Sequence, residues 1–224
     1  MVSRTQSFAA RQYGTVTDPN FDLVLFDLGG VLIELSGVGA MRELAGIDDD
    51  DALWERWLTC PWVRAFERGD CTPDEFAAGM VAEWELTVAP EVFLDAFRRW
   101  PVGPLPGAEA LVERVRSVVA VGCLSNTNAV HTEERFSQWS IFHRFEPRLL
   151  SHELGLLKPD RDLFDRVAEV AGIPAGRILF LDDNIINVDG ARAAGFAAQH
   201  ARGVEEARTA LVEAGVLHST RAAE

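Results

Sequence analysis

The chain has 224 residues, of which 48% are hydrophobic and 25% are charged, as in a globular protein with one sizeable core or a core and a smaller lobe. Its formal net charge of -14 makes nucleic acids and anionic membranes unfavourable partners. No stretch approaches the length of a membrane span, about 18 apolar residues, so no span is predicted. Three cysteines, an odd count without metal-ligand spacing, predict reduced thiols and a cytoplasmic protein.

The N-terminal segment is polar and aperiodic, and we predict a flexible arm over 1–20. The pattern then changes to a short apolar run, 23–26, which ends at Asp27 and a pair of glycines, Gly29 and Gly30. A continuous apolar run of this length is typical of a parallel strand that is buried on both faces.

The segment 36–103 differs from the rest of the chain because it has the pattern of several short helices and little strand character. Thr72 and Glu75 predict a helix N-terminus with a capping box, and Pro73 takes the first helical position. Five of the six tryptophans lie in this segment, and we expect them to form the core of a small helical domain. A stretch rich in proline and glycine, 101–107, predicts the hinge at which the chain returns.

Strand-like and helix-like patterns alternate in the remainder of the chain. Further apolar runs lie at 118–124 and 178–181, and helical spacings lie at 111–115 and 163–171. This alternation predicts an α/β fold with a Rossmann-like parallel sheet flanked by helices. We expect 21–35 and 104–224 to form this core domain and 36–103 to form the helical domain.

Polar side chains follow each predicted strand. Asp27 follows the first, Ser125 and Asn126 the second, and Asp182 and Asp183 the third. Singly, such residues more often stabilise turns. The carboxyl ends of parallel strands form one ligand-binding edge, however, so these side chains are expected to converge. Two adjacent carboxylates repel each other, and a divalent cation relieves that repulsion.

Lys158, which precedes Pro159, is the one cationic candidate for the same edge. A carboxylate that attacks an anionic phosphate needs the phosphate charge neutralised and the phosphate oriented. A lysine, hydroxyl and amide donors, and a carboxylate pair that holds a metal ion provide both. This combination predicts phosphoryl transfer through a covalent aspartyl-phosphate.

Four ordered motifs carry a resemblance to a known family. They are FDLGGVL at 26–32, LSNTN at 124–128, LKPD at 157–160 and FLDDN at 180–184. In order and spacing they resemble the haloacid dehalogenase (HAD) superfamily, which implies a HAD-like fold with a small helical cap of subclass I between the first two motifs. The sequence around His131 and at 151–155 also resembles that of a subgroup that includes glucose 1-phosphate phosphatases.

The resemblance implies a magnesium-dependent phosphatase acting on small phosphorylated metabolites, sugar phosphates among them. Asp27 would be the nucleophile and Lys158 the second catalytic residue. The phosphate-binding residues would be Ser125, Asn126, Lys158 and Gly30. The Mg²⁺ ligands would be Asp27, Asp183, the carbonyl of Gly29 and, directly or through water, Asp182, with Asn187 in support.

One position departs from the family pattern. Most phosphatases of the superfamily have a second aspartate two residues after the nucleophile, which exchanges protons with the leaving group and with water. Gly29 occupies that position here. His131, Glu34 or Glu67 are candidates to replace it. A leaving group that needs no strong acid, such as an anomeric or acyl phosphate, is the alternative.

Two other functions stay open on the sequence. In a literal haloacid dehalogenase, Asp27 would displace halide from carbon, but such an enzyme has no need of the Asp182-Asp183 pair. A catalytically impaired module would bind a phosphate ester without turnover, and Gly29 is its support. No Gly-x-Gly-x-x-Gly motif follows the first strand, so a nicotinamide enzyme is not favoured. We expect a small phosphorylated substrate as the partner, and a monomer or weak homodimer.

Overall fold

A computed structural model describes residues 20–218. The predicted flexible arm over 1–20 lies outside this range except for its last residue. The strands are β1 Leu23–Phe26, β2 Ile33–Leu35, β3 Pro101–Pro104, β4 Ala120–Ser125, β5 Arg148–Leu150, β6 Ile178–Asp182 and β7 Ala197–His200. The helices are α1 Gly37–Ala45, α2 Asp50–Thr59, α3 Pro61–Glu67, α4 Pro73–Glu83, α5 Pro90–Phe97, α6 Ala108–Arg116, α7 Ala129–Glu134, α8 Ser151–Leu154, α9 Arg161–Ala171, α10 Ile185–Ala193 and α11 Gly203–Glu213.

The central sheet has five parallel strands in the order β5-β4-β1-β6-β7. β1 is at its centre, with Leu23 opposite Ala120 of β4 on one side and Ile178 of β6 on the other. Every side chain of β1 is buried, because the apolar helix faces that follow the strands cover both faces of the sheet. The predicted α/β fold with a Rossmann-like parallel sheet is confirmed.

The five helices α1–α5, here called the helical insert, lie between β2 and β3 in the chain and pack round a core of their own. The predicted capping box is present at the start of α4, where Thr72 and Glu75 bond reciprocally. Four of the five tryptophans belong to this core, whereas Trp54 is 38% exposed. The division into a core domain and a cap domain at 36 and 103 stays a prediction.

A short antiparallel hairpin, β2 and β3, joins the helical insert to the sheet. Ile33 lies opposite Pro104 and Glu34 opposite Gly103. The stretch 101–107, predicted as a hinge loop, therefore begins with a paired strand. Proline is tolerated in edge strands, where not every main-chain N–H needs a partner. Within 20–218, no helix is long and apolar enough to cross a membrane.

Candidate active site

Three carboxylates meet at the carboxyl edge of the sheet. Asp27 follows β1, Asp182 ends β6, and Asp183 comes directly after it. β1 and β6 are neighbours, so the predicted convergence occurs, and ligand atoms of the three side chains lie within 4.8 Å of one another. Hard divalent cations such as Mg²⁺ prefer oxygen ligands of this kind, so the donor set fits the predicted metal.

Lys158 pairs with two of these three carboxylates and is the only lysine in the 224-residue chain. Its Nζ lies 2.6 Å from Oδ2 of Asp182 and 3.0 Å from Oδ1 of Asp27, and it donates to the carbonyl of Leu124 at 3.2 Å. The side chain is almost fully buried. Burial alone would lower the pKa of Lys158, but the charges of Asp182 and Asp27 raise it above its ordinary value. The ammonium is therefore a permanent charge at the site.

Asp182 holds this lysine in place. Asn187 donates to both carboxylate oxygens, at 3.1 and 3.2 Å, and the main-chain N–H of Asn184 donates to Oδ1 at 2.8 Å. With Lys158 on Oδ2, both oxygens of the fully buried carboxylate already accept hydrogen bonds. The freer oxygens of the cluster belong to Asp27 and Asp183.

Asp27 has an oxygen that suits a cation. Oδ1 is buried and makes an ion pair with Lys158, yet no donor of the described residues forms an aligned hydrogen bond with it. Burial raises the pKa of Asp27; Lys158 opposes this rise, whereas Asp182 and Asp183 add to it. Burial and the charge of Asp182 also raise the pKa of Asp183. A bound cation would favour the ionised form of both carboxyls, as a Mg²⁺ site requires.

The two glycines after Asp27 bring the chain close to the cluster. Gly30 has a φ of 70°, a left-handed conformation that favours glycine, and a Cβ there would lie 2.0 Å from Oδ2 of Asp183. At Gly29 a Cβ would lie 2.6 Å from Cδ1 of Leu35. An aspartate at position 29, as in most phosphatases of the superfamily, would therefore require Leu35 to move.

The residues predicted to bind phosphate have different surroundings. Ser125 ends β4 and is buried, and its hydroxyl makes only one long contact, 3.5 Å to the carbonyl of Asn126. The side chain of Asn126 instead bonds to the main chain of Lys158: Nδ2 donates to its carbonyl at 3.0 Å, and Oδ1 accepts from its N–H at 2.9 Å. Asn126 therefore positions Lys158, and its main-chain N–H is the group left for phosphate.

Ser151 is a supporting residue for which the sequence predicts no role. Its hydroxyl donates to the carbonyl of Thr127 and accepts from the Thr127 N–H, both at 2.9 Å. This pair of bonds ties α8 to the loop after β4, where Ser125 and Asn126 lie. The position of Ser151 in the 151–155 motif was the one sequence feature that could have indicated a role. Nothing in that motif indicates that its partner is the main chain of Thr127.

His131 is not available for proton transfer. Nε2 lies 2.8 Å from the carbonyl of Phe97, which can only accept, so Nε2 carries the proton and Nδ1 accepts from the amide of Asn128 at 3.2 Å. Burial lowers the pKa of His131 to about 4, so the ring is neutral near neutral pH. His131 joins α7 to the end of α5. Glu34, the second candidate, is exposed on the β2–β3 hairpin.

Glu67, the third candidate, is the last residue of α3 and is half-buried. Burial raises the pKa of Glu67 to about 7. The negative charge of Asp27 adds to this rise, whereas the positive charges of Lys158 and Arg64 oppose it. The Glu67 carboxyl is thus close enough to the nucleophile and the lysine for both charges to act on it. In the part of the chain that the structure describes, no side chain or main-chain group hydrogen-bonds to this carboxyl.

A family model of haloacid dehalogenase-like hydrolases matches residues 21–195, which include all four motifs. The chain belongs to this family. The predicted recognition and the prediction of a hydrolytic enzyme are thereby confirmed at the level of the family. The finer resemblance to glucose 1-phosphate phosphatases stays a prediction.

Three relatives of this HAD-like hydrolase illustrate the similarity. Pyrimidine 5'-nucleotidase YjjG of Escherichia coli is 29% identical over 129 residues, 54% of this chain, and the match spans 56% of that relative's own length. Phosphatase MT3486 of Mycobacterium tuberculosis is 27% identical over 78% of this chain and 84% of its own. The HAD family enzyme BT-2542 of Bacteroides thetaiotaomicron, solved in complex with magnesium and inorganic phosphate, is 26% identical with a TM-score of 0.64, over 81% of this chain and 94% of its own. The magnesium complex of BT-2542 agrees with the predicted Mg²⁺ cofactor.

Proposed function

We propose that the chain is a magnesium-dependent phosphatase that hydrolyses small phosphorylated metabolites, sugar phosphates among them, through an aspartyl-phosphate. The observation that carries the proposal is the cluster of Asp27, Asp182 and Asp183, two of which, Asp27 and Asp182, pair with the buried ammonium of Lys158. Such a cluster combines a carboxylate nucleophile with a cation and a metal-binding pair. Two phosphatases among its relatives, a pyrimidine 5'-nucleotidase and MT3486, support the same reaction class.

The proposed reaction has two displacements at phosphorus. A carboxylate oxygen of Asp27 attacks the phosphorus while the bond to the leaving-group oxygen breaks and that oxygen gains a proton. Water then attacks the phosphorus, the bond to Asp27 breaks, and phosphate is released with the carboxylate restored. Bound Mg²⁺ would be held by Asp27, Asp183 and the Gly29 carbonyl, with Asp182 nearby, and would neutralise charge on the phosphoryl group.

The chain's own donors would orient that phosphoryl group. The Lys158 ammonium lies beside the nucleophile, so it can bind a phosphoryl oxygen without large movement. The hydroxyl of Ser125, which makes only one long contact, and the main-chain N–H of Asn126 are the proposed further donors. The Gly30 N–H donates to the carbonyl of Ile33 at 3.0 Å, so Gly30 would have to release that bond before it could bind phosphate. Asn126 and Asp182 hold Lys158 in position through its main chain and its side chain respectively.

The test is phosphate release from a panel of phosphorylated metabolites, glucose 1-phosphate among them, with Mg²⁺ and with a chelator. We expect release only with Mg²⁺, and none from Asp27→Asn. Asp22→Asn is the matched control, because Asp22 lies on the surface in an ion pair with Arg177 and should tolerate the change. Metal-independent release of halide from a 2-haloacid would favour the dehalogenase, and ester binding without turnover would favour the impaired binding module.

We also propose that the protein works in the cytoplasm, as a monomer or weak homodimer and without nucleic acid or membrane partners. Cys60, Cys71 and Cys123 are free thiols, which is typical of a reducing compartment. Localisation of a tagged chain in its host tests the compartment, and sedimentation equilibrium tests the assembly state. A stable higher oligomer would contradict the latter.

A further inference from the structure

The end of α3 lies over the carboxyl edge of the sheet. Arg64 of α3 pairs with Asp160, two residues after Lys158, at 2.8 Å. A Cβ on Gly69, in the turn that follows α3, would lie 2.8 Å from the main-chain carbonyl oxygen of His152 in α8. These contacts flank Glu67 in the chain and attach this part of the helical insert to the loops that carry the site.

In-line displacement determines where a proton donor must lie. The attacking and leaving oxygens are on opposite sides of the transferred phosphorus. Asp27 attacks from the sheet edge, so the leaving-group oxygen lies on the side away from the sheet, toward the helical insert. Glu67 is an acidic side chain of that insert on which the charges of both Asp27 and Lys158 act.

We propose that Glu67 is the catalytic residue that donates a proton to the leaving-group oxygen and later accepts one from water. The inference rests on the proposed phosphatase function and adds the proton-transfer group that Gly29 cannot supply. The half-buried carboxyl has no hydrogen-bond partner among the described residues, so it is free to contact substrate. The other two candidates are less suitable. Both ring nitrogens of His131 already make hydrogen bonds, and Glu34 is exposed on the β2–β3 hairpin.

The proton count closes over the two steps. When Asp27 forms its bond to phosphorus, the protonated Glu67 gives its proton to the departing oxygen and becomes a carboxylate. When water attacks the aspartyl-phosphate, Glu67 takes a proton from that water as the bond between Asp27 and phosphorus breaks. The products are one alcohol and one phosphate, and Asp27 and Glu67 return to their starting states. An acid whose pKa lies near the working pH serves both steps.

The experiment compares two leaving groups in Mg²⁺. The phenolate of 4-nitrophenyl phosphate leaves without a proton, whereas the alkoxide of glycerol 3-phosphate needs one. We expect Glu67→Gln to lower kcat for glycerol 3-phosphate by about 100-fold or more, the usual range for general acid–base catalysis. With 4-nitrophenyl phosphate it should leave a fast burst of one nitrophenolate per site and slow only the steady state, because the second step still needs the base.

Glu67→Asp and Glu55→Gln are the matched variants. Glu67→Asp retains a carboxyl and should recover part of the glycerol 3-phosphate activity. Glu55→Gln changes an exposed carboxylate of α2 and should behave like the wild type. Urea unfolding checks that each variant is folded; if Glu67→Gln is not, Glu67→Asp carries the comparison of leaving groups.

Several results would overturn the inference. One is that Glu67→Gln slows the hydrolysis of glycerol 3-phosphate and of 4-nitrophenyl phosphate equally, including the nitrophenolate burst. Another is that Glu67→Gln changes KM and leaves kcat unchanged. A wild type that releases nitrophenolate, and that binds glycerol 3-phosphate as a competitive inhibitor but leaves it intact, would show that no acid is present, which contradicts the role of Glu67 and leaves the phosphatase standing. If the wild type hydrolyses neither these esters nor any of the metabolite panel, the proposed function itself has failed.

Discussion

Replacing Lys158 with methionine would remove the cation on which the buried carboxylates depend. Methionine keeps most of the apolar stem beside the ring of Phe180, 5.3 Å from the ammonium, so the main loss is charge. With an effective dielectric constant of about 20, ion pairs at 3.0 and 2.6 Å each attract by about 5–6 kcal/mol. Burial of the ammonium offsets several kcal/mol of this, and breaking a buried pair typically costs about 3–5 kcal/mol.

We therefore expect Lys158→Met to lower the free energy of unfolding by about 3–5 kcal/mol at neutral pH in the absence of metal. Loss of the lysine raises the pKa of Asp27 and Asp183 further. A carboxyl whose pKa is raised in the folded state favours folding at low pH, and this contribution is lost as the pH rises through the folded pKa. In the wild type these pKa values are already about 6 for Asp183 and about 7 for Asp27, so the deficit of the variant should be smallest below about pH 6 and grow as the pH rises above these values.

Urea unfolding in EDTA at several pH values measures this deficit. Arg166→Met is the control, because its exposed pair with Glu169 should contribute less than about 1 kcal/mol. A Lys158→Met deficit below about 1 kcal/mol at neutral pH, or one that does not change with pH, would refute the reasoning about the cluster.

Three further predictions concern the metal, the glycine turn and the cap carboxyl. Mg²⁺ at one hundred times its Kd should raise the free energy of unfolding by about 2.7 kcal/mol in the wild type and by much less in Asp183→Asn, as urea titrations with and without metal would reveal. Gly30→Ala should cost about 1–2 kcal/mol in stability through its positive φ and weaken Mg²⁺ binding by displacing Asp183; a wild-type Kd by calorimetry would contradict this. The raised pKa of Glu67, about 7 in place of 4.5, should make stability fall as the pH rises between these values. For a fully buried carboxyl this pKa shift would lower the free energy of unfolding by about 3 kcal/mol, and for the half-buried Glu67 we expect about 1–2 kcal/mol. Urea titrations at several pH values should show that Glu67→Gln removes this contribution to the pH dependence of stability. The charges of Lys158, Asp27 and Arg64 act on this pKa.

The strands buried on both faces were predictable, and the edge strands were not. β1, β4 and β6 are continuous apolar runs because helices cover them on both sides. β5 has three residues that begin with an arginine, and β7 reads AAQH, so neither has a pattern that distinguishes a strand from a loop. β3 was missed because prolines at both ends indicate a turn more strongly than a strand.

The convergence of Asp27, Lys158 and the Asp182-Asp183 pair could be predicted because strand ends in a parallel sheet share one edge. The division of labour among them could not. That Asn126 binds the main chain of Lys158 depends on how two loops pack, and sequence spacing holds no information about that contact. The sequence offered Glu67 beside His131 and Glu34, and only the packing of α3, the burial of His131 and the exposure of Glu34 distinguish the three.

The most direct test of the central claim is to find the phosphoryl group on Asp27. The wild type would be mixed with 4-nitrophenyl phosphate and Mg²⁺, quenched in acid, treated with borohydride and digested for mass spectrometry. Borohydride reduces an aspartyl-phosphate to homoserine, so we expect homoserine at position 27 only when ester and metal are both present, and not in Asp27→Asn. Turnover of the ester with an unmodified Asp27, or with the modification at another carboxylate, would contradict it.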